Sequence, residues 1–144
     1  MKVDSILQSK GSQVVTIEPE ASMSMVVHRL MSMGIGAIVV SKDGVRVDGL
    51  ISERDVVNGL NNFGERVLDM KARDIMSKDV PVCSEEDTIK RAMSQMTGTR
   101  SRHLPVVQDG ELRGIISVGD VLKHRLEEME LEANVLRDHY IAGR

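Results

Sequence analysis

Two serine–aspartate pairs, Ser52 with Asp55 and Ser117 with Asp120, share one spacing and one upstream context: each follows Gly-apolar-Ile. A serine followed three residues later by an acid can close a capping box at a helix start, and this needs no ligand. The same spacing also suits binding. A helix N-terminus offers free N–H groups and a partial positive charge to a phosphate. The serine hydroxyl can donate to a phosphate oxygen, and the aspartate can accept from both hydroxyls of a ribose. Arg100, Arg102 and His103 form a further cluster able to face an anion. Two adjacent basic residues are hard to bury unpaired, although a strand-edge pair without a ligand is the competing reading.

Other reactive side chains offer less. Cys83, the single cysteine, lies between Val82 and Ser84 with no His/Asp set near it in sequence, so it reads as core or half-buried rather than nucleophilic. His28, His124 and His139 are scattered among polar neighbours without metal-ligand spacing, and read as surface histidines. No catalytic residue and no metal site is expected, and no phosphate-loop or hydrolase motif is present.

The elements that must position these residues occur twice. Gly49-Leu50-Ile51-Ser52-Glu53-Arg54-Asp55 is answered by Gly114-Ile115-Ile116-Ser117-Val118-Gly119-Asp120. Gly36 to Val40 corresponds to His103 to Val107, and Ser22 to Met33 corresponds to Thr88 to Thr99. Val3 to Leu7 resembles Ala72 to Met76. The repeat of about 65 residues predicts a short helix (Val3–Ser9; Ala72–Ser77) followed by an extended segment (Val14–Ile17; Val80–Cys83). Ser22 and Thr88 then cap helices with apolar residues at helical spacing. Hairpins follow (Ala37–Val40 with Val47–Ile51; Leu104–Val107 with Leu112–Ile116), and second helices start at Ser52 and Ser117. The fold class is α/β (α+β), each repeat β-α-β-β-α. Repeat 1 covers residues 1–60, a short ordered linker 61–71, repeat 2 residues 72–125 and a C-terminal helix 126–144. Two small sheets with helices would pack together to bury faces that neither repeat could bury alone.

The paired motifs at 49–55 and 114–120, with Arg102-His103-Leu104-Pro105-Val106-Val107, resemble the CBS-domain pair, or Bateman module, over residues 3 to 125. The resemblance implies two such repeats packed about a pseudo-two-fold. It implies a regulatory module, of the stand-alone bacterial type, that binds AMP, ADP, ATP or NAD between the repeats, with S-adenosylmethionine a lesser alternative. It also implies that each pocket draws on both repeats. Carried over by position, one pocket uses Ser52 and Asp55 with Val80, Pro81, Ser101, Arg102 and His103, and has Arg100 nearby. The other uses Ser117 and Asp120 with Val15, Ile35, Gly36 and Ala37, and Arg54 is a candidate to reach across. The first is expected to prefer the more highly charged ligand. Val118-Gly119 departs from the more usual charged pair inside the second motif, and glycine there costs helix stability while admitting a close ligand.

Leu122, Leu126, Met129, Ala133, Leu136 and Tyr140 trace a heptad seam. It predicts either a helix folded back on its own domain or a homodimer contact, and the resemblance favours the homodimer. The net charge of -3 has no basic stripe, which argues against nucleic acid. No apolar run approaches membrane-spanning length, the first ten residues lack a signal-peptide core, and one cysteine suits a reducing cytosol. The expectation is a cytoplasmic nucleotide sensor read by an unidentified protein partner. A ligand-free docking scaffold and, further off, a nucleotide-acting enzyme are the competitors.

Overall fold

The computed structural model of the chain describes residues 1–143; Arg144, the last residue of the expected C-terminal helix, lies outside the described residues. Repeat 1 runs α1 (Val3–Lys10), β1 (Thr16–Ile17), α2 (Met23–Met33), β2 (Ala37–Val40), β3 (Gly49–Ser52) and α3 (Glu53–Phe63). A 3-10 turn, Gly64–Asp69, leads to α4 (Ala72–Ile75), α5 (Ile89–Thr99), β4 (His103–Gln108), β5 (Glu111–Ser117) and α6 (Val118–Ala142).

Local chemistry explains the boundaries. Ser22 Oγ accepts from the Met25 N–H at 3.2 Å and Thr88 Oγ1 accepts from the Arg91 N–H at 3.0 Å, so α2 and α5 start on satisfied caps. Gly34 ends α2 in the left-handed region, where Arg100 also sits at the end of α5 with φ 55°. β1 pairs in parallel with β2, and β2 antiparallel with β3 from Ala37↔Ser52 to Val40↔Gly49. β4 and β5 pair from His103↔Ser117 to Gln108↔Glu111, with an irregularity between Val106 and Val107.

Three expectations need correction. Val80–Cys83 does not form a regular strand: only Cys83 bridges Val106, through Cys83 N–H to Pro105 O (3.0 Å) and Val107 N–H to Cys83 O (2.8 Å). Pro81 has no N–H to give a ladder. Residues 61–69 are helical rather than a loop, because α3 runs through Asn61 and Asn62 to Phe63 and the following 3-10 turn buries Val67 against Gly59. His124 is not a surface histidine: it is buried on the inward face of α6, and among the described residues its Nδ1 has no hydrogen-bond partner. Its spacing of three from Val121 puts both on the inward face.

The core shows how the repeats interlock. Val3, Ile6 and Leu7 of α1 pack with Ile89, Ala92, Met96, Leu104, Ile116 and Val121, all from repeat 2. Ala72 of α4 packs in turn with Met23, Val26, Ile38 and Ile51 of repeat 1. Each repeat thus lends its first helix to the other's core. Between the sheets, Ala37, Val39 and Leu50 meet Val14, Val47, Val80, Leu112 and Ile115. At about 25 cal/mol per Å² of apolar surface removed from water, these shared cores hold the repeats as one unit.

Candidate functional site

Ser52 ends β3 in extended conformation and caps α3, so the helix opens where the strand stops. Its backbone N–H and Oγ both donate to Asp55 Oδ2, at 2.8 and 3.0 Å, and Asp55 N–H donates to Ser52 Oγ at 3.3 Å. The capping box is complete, and it fixes the carboxylate at the helix start, where the backbone dipole favours negative charge.

This helix end opens on a cleft of about 550 Å³. Every residue expected around the first pocket lines it: Ser52, Asp55, Val80, Pro81, Arg100, Ser101, Arg102 and His103. Gly36 and Arg54, expected at the second pocket, line this cleft too. Leu50, Glu53, Ser77, Asp79 and Thr99 complete the wall. The sequence carried little sign of these five, since none belongs to a spaced pair; Asp79 and Ser77 are brought in by the exchange of α4 between repeats. Among the described residues, Arg54, Arg100 and Arg102 have no carboxylate within ion-pairing distance. Glu53, Asp55 and Asp79 line the same cleft, so its three guanidinium groups are matched in number by carboxylates but not paired with them, and unpaired guanidinium groups suit bidentate contact to phosphate.

His103 stands at the edge of this cleft against Gly36. A Cβ at Gly36 would lie 3.1 Å from His103 Cε1 and from Glu53 Oε1, so only glycine lets the imidazole and this carboxylate approach so closely. Burial holds the imidazole below its ordinary pKa, and the Lys10 ammonium and Arg102 add to the effect; Asp120 and Glu53 pull the other way without cancelling it.

The second pair is built alike but engaged differently. Ser117 caps α6, Asp120 N–H donates to Ser117 Oγ at 3.2 Å, and Ser117 N–H donates to Asp120 Oδ2 at 2.9 Å. Lys10 Nζ donates to the same Oδ2 at 2.7 Å and to Ile115 O at 3.0 Å. Burial raises the Asp120 carboxyl, but the Lys10 ammonium and the Ser117 donors outweigh it and hold the group below the usual carboxylate range. Lys10 was not singled out by the sequence, because nothing local marks a lysine whose partner lies 110 residues away. Val15 and Ile35, expected here, pack against the repeat 1 core, and Ala37 lies between the sheets. Gly119 leaves open space: a Cβ there meets nothing closer than Ser117 Oγ at 3.6 Å.

Cys83 is buried in the repeat 2 core, where burial and then Asp87 push its thiol up to about 12. The described residues contain no group of three or more His, Cys, Asp or Glu placed to hold a metal ion, and no helix among them is long and apolar enough to cross a membrane.

With this geometry in hand, comparison with known proteins is specific. The family described as CBS domain matches twice, over residues 6–62 and 72–127. The CBS-domain-containing protein ATU1752 from Agrobacterium tumefaciens is 39% identical, with a TM-score of 0.82 over 86% of this chain and 92% of that one. An uncharacterised 33.4 kDa protein of Thermofilum pendens is 32% identical over 82% of this chain, which spans only 40% of that relative's length. The CBS domain pair of MJ0100, crystallised with 5′-methylthioadenosine and S-adenosyl-L-methionine, is 18% identical with a TM-score of 0.78, covering 89% of this chain and 98% of that one. At that identity the likeness is one of fold.

Proposed function

The chain belongs to the CBS-domain family, carrying two CBS domains in tandem as a regulatory pair, and from that premise we propose that it binds an adenine nucleotide (AMP, ADP, ATP or NAD) in the cleft at Ser52 and Asp55. One observation carries the reading: a single cleft of ligand size gathers a Ser-x-x-Asp helix start, three arginines without ion-pair partners and an apolar Val80–Pro81 wall from the other repeat. In this reading Asp55 accepts from the ribose hydroxyls. The α3 N-terminus with Arg54, Arg100 and Arg102 takes the phosphates, and Val80 and Pro81 flank the adenine. The three arginines are free to turn toward phosphate because none is ion-paired among the described residues, which suits the phosphate-bearing members of the series. That a pair of the same fold holds adenosine-containing ligands supports the ligand class. S-adenosylmethionine, a cation at its sulfur, suits this arginine-rich cleft less well.

The module acts by binding rather than by turnover, as a sensor of energy or cofactor state in the cytoplasm. Ligand stiffens or re-angles the repeats, and a protein partner with different affinity for the two states reads the change. The rival is a ligand-free scaffold. Both capping boxes are closed by internal hydrogen bonds, as that rival requires.

Thermal unfolding separates them. At 100 times its dissociation constant, a ligand stabilises the fold by about 2.7 kcal/mol, or roughly 8–10 °C at this size. We expect such a shift with at least one of AMP, ADP, ATP and NAD, and its loss in Asp55→Ala. No shift with any of them supports the scaffold, and turnover of ATP or NAD by the purified protein contradicts action by binding alone.

A further inference from the structure

The two Ser-x-x-Asp motifs belong to equivalent positions of the repeats, and one pair of contacts relates the helices packed beside them. A Cβ on Gly114 would lie 2.5 Å from Leu7 Cδ2, and a Cβ on Gly49 would lie 2.4 Å from Met76 Sδ. Gly114 opens the second Ser-x-x-Asp motif and Gly49 opens the first. α1 therefore docks beside Ser117 and Asp120 just as α4 docks beside Ser52 and Asp55. Three residues beyond Leu7 stands Lys10; three residues beyond Met76 stands Asp79. The second motif thus has a cation at the end of α1 beside it, and the first an anion in the segment that follows α4.

The consequences differ. Asp79 lines the first cleft, and among the described residues Asp55 has no cation within ion-pairing distance. Lys10 reaches Asp120 Oδ2 at 2.7 Å, an oxygen that already accepts from the Ser117 N–H, and spends a second proton on Ile115 O. The pair is only part-exposed, at 37% for the lysine side chain and 25% for the aspartate. A ribose that took both oxygens of this carboxylate would have to displace the ammonium from Oδ2 and leave it beside its former partner.

We propose that Lys10 is an internal latch on the second cleft, standing where ribose hydroxyls would meet Asp120, so that the chain binds one nucleotide at the first cleft and none at the second. This rests on the reading that a Ser-x-x-Asp start holds the ribose. Loss of a charge-assisted hydrogen bond of this kind corresponds to about a tenfold to hundredfold change in affinity. The latch also makes the two sites unequal for reasons separate from arginine content. It ties α1 of repeat 1 to α6 of repeat 2, so opening it would loosen the join between repeats.

The test is the number of AMP molecules bound per chain, by isothermal titration calorimetry of the whole chain as wild type, Lys10→Met, Lys10→Arg and the double variant Lys10→Met/Asp120→Ala. Met keeps the apolar stem at a part-exposed position, and melting curves check that each variant folds. The expected result is one AMP in wild type and in Lys10→Arg, two in Lys10→Met, and one again in the double variant. A Lys10→Met protein that binds no more AMP than wild type overturns the latch, whatever the first cleft does. Wild type binding none while Lys10→Met gains one, lost again with Asp120→Ala, supports the latch and sinks the first-cleft reading instead.

Discussion

His103 carries its imidazole between two charged motifs, with Glu53 from α3, Lys10 from α1, Asp120 from α6 and Arg102 beside it in sequence. Its folded pKa lies below the unfolded value, so the fold binds the proton less readily than the unfolded chain does. The stabilisation this gives is complete above the unfolded pKa of about 6.5 and drains away as pH falls from there toward the folded value. Thermal melts between about pH 7.5 and pH 5.5 should therefore fall in midpoint, and His103→Gln should flatten that fall; an unchanged slope in the variant would contradict the assignment. A bound phosphate near the ring acts in the opposite direction and should draw a proton onto it. The two serine–aspartate pairs were legible in the sequence because the motif repeats, and Val80, Pro81, Ser101, Arg102 and His103 because the resemblance placed them by position. Lys10, Asp79 and Ser77 were not, because their role comes from where an exchanged helix ends, and no local pattern encodes that.

Among the elements, the exchange of α1 and α4 is held by two glycines. Leu7 seats on Gly114 and Met76 seats on Gly49, each at a distance that a Cβ would violate. Gly114→Ala should cost about 1–3 kcal/mol, the usual penalty for overpacking. Gly49→Ala should cost more, because the clash with Met76 reaches its Cγ at 2.7 Å and its Cβ at 2.9 Å, whereas Leu7 comes within 3 Å only through its terminal Cδ2. Chemical denaturation measures both, and equal costs would argue against the difference in how deep the clash reaches. The helices and hairpins were readable from apolar spacing and caps: α2 starts after Ser22, α5 starts after Thr88, and β2 covers Ala37–Val40. Two elements were misjudged for identifiable reasons. Val80–Cys83 looks like a strand by residue type, but Pro81 cannot donate to a ladder. Asn61 and Asn62 look like a turn, yet the helix ends only at Gly64, whose positive φ supplies the break.

For the whole molecule, the decisive feature after the cleft is α6, 25 residues or about 37 Å long. It is a single helix from Val118, without a break at residue 126. Its first turns are tied down by Val121, His124 and the pair of Glu128 with the Met1 ammonium. Beyond them Met129, Leu136 and Tyr140 are at least half exposed, as are Leu122 and Leu126 before them. This is the heptad seam, and we propose that a second copy of the chain covers it. Light scattering should give a dimer, and Leu126→Glu/Leu136→Glu should give a monomer that keeps its nucleotide-induced thermal shift. A monomeric wild type would contradict the proposal.

The claim on which the rest depends is that a nucleotide enters the first cleft and is held by Asp55, and a crystal structure of the chain with AMP tests it most directly. The account predicts ribose hydroxyls within hydrogen-bond reach of the Asp55 carboxylate, phosphate toward Arg54, Arg100 and Arg102, and adenine against Val80 and Pro81. An empty first cleft at saturating AMP, or AMP bound elsewhere with Asp55 still engaged only by Ser52, would contradict it.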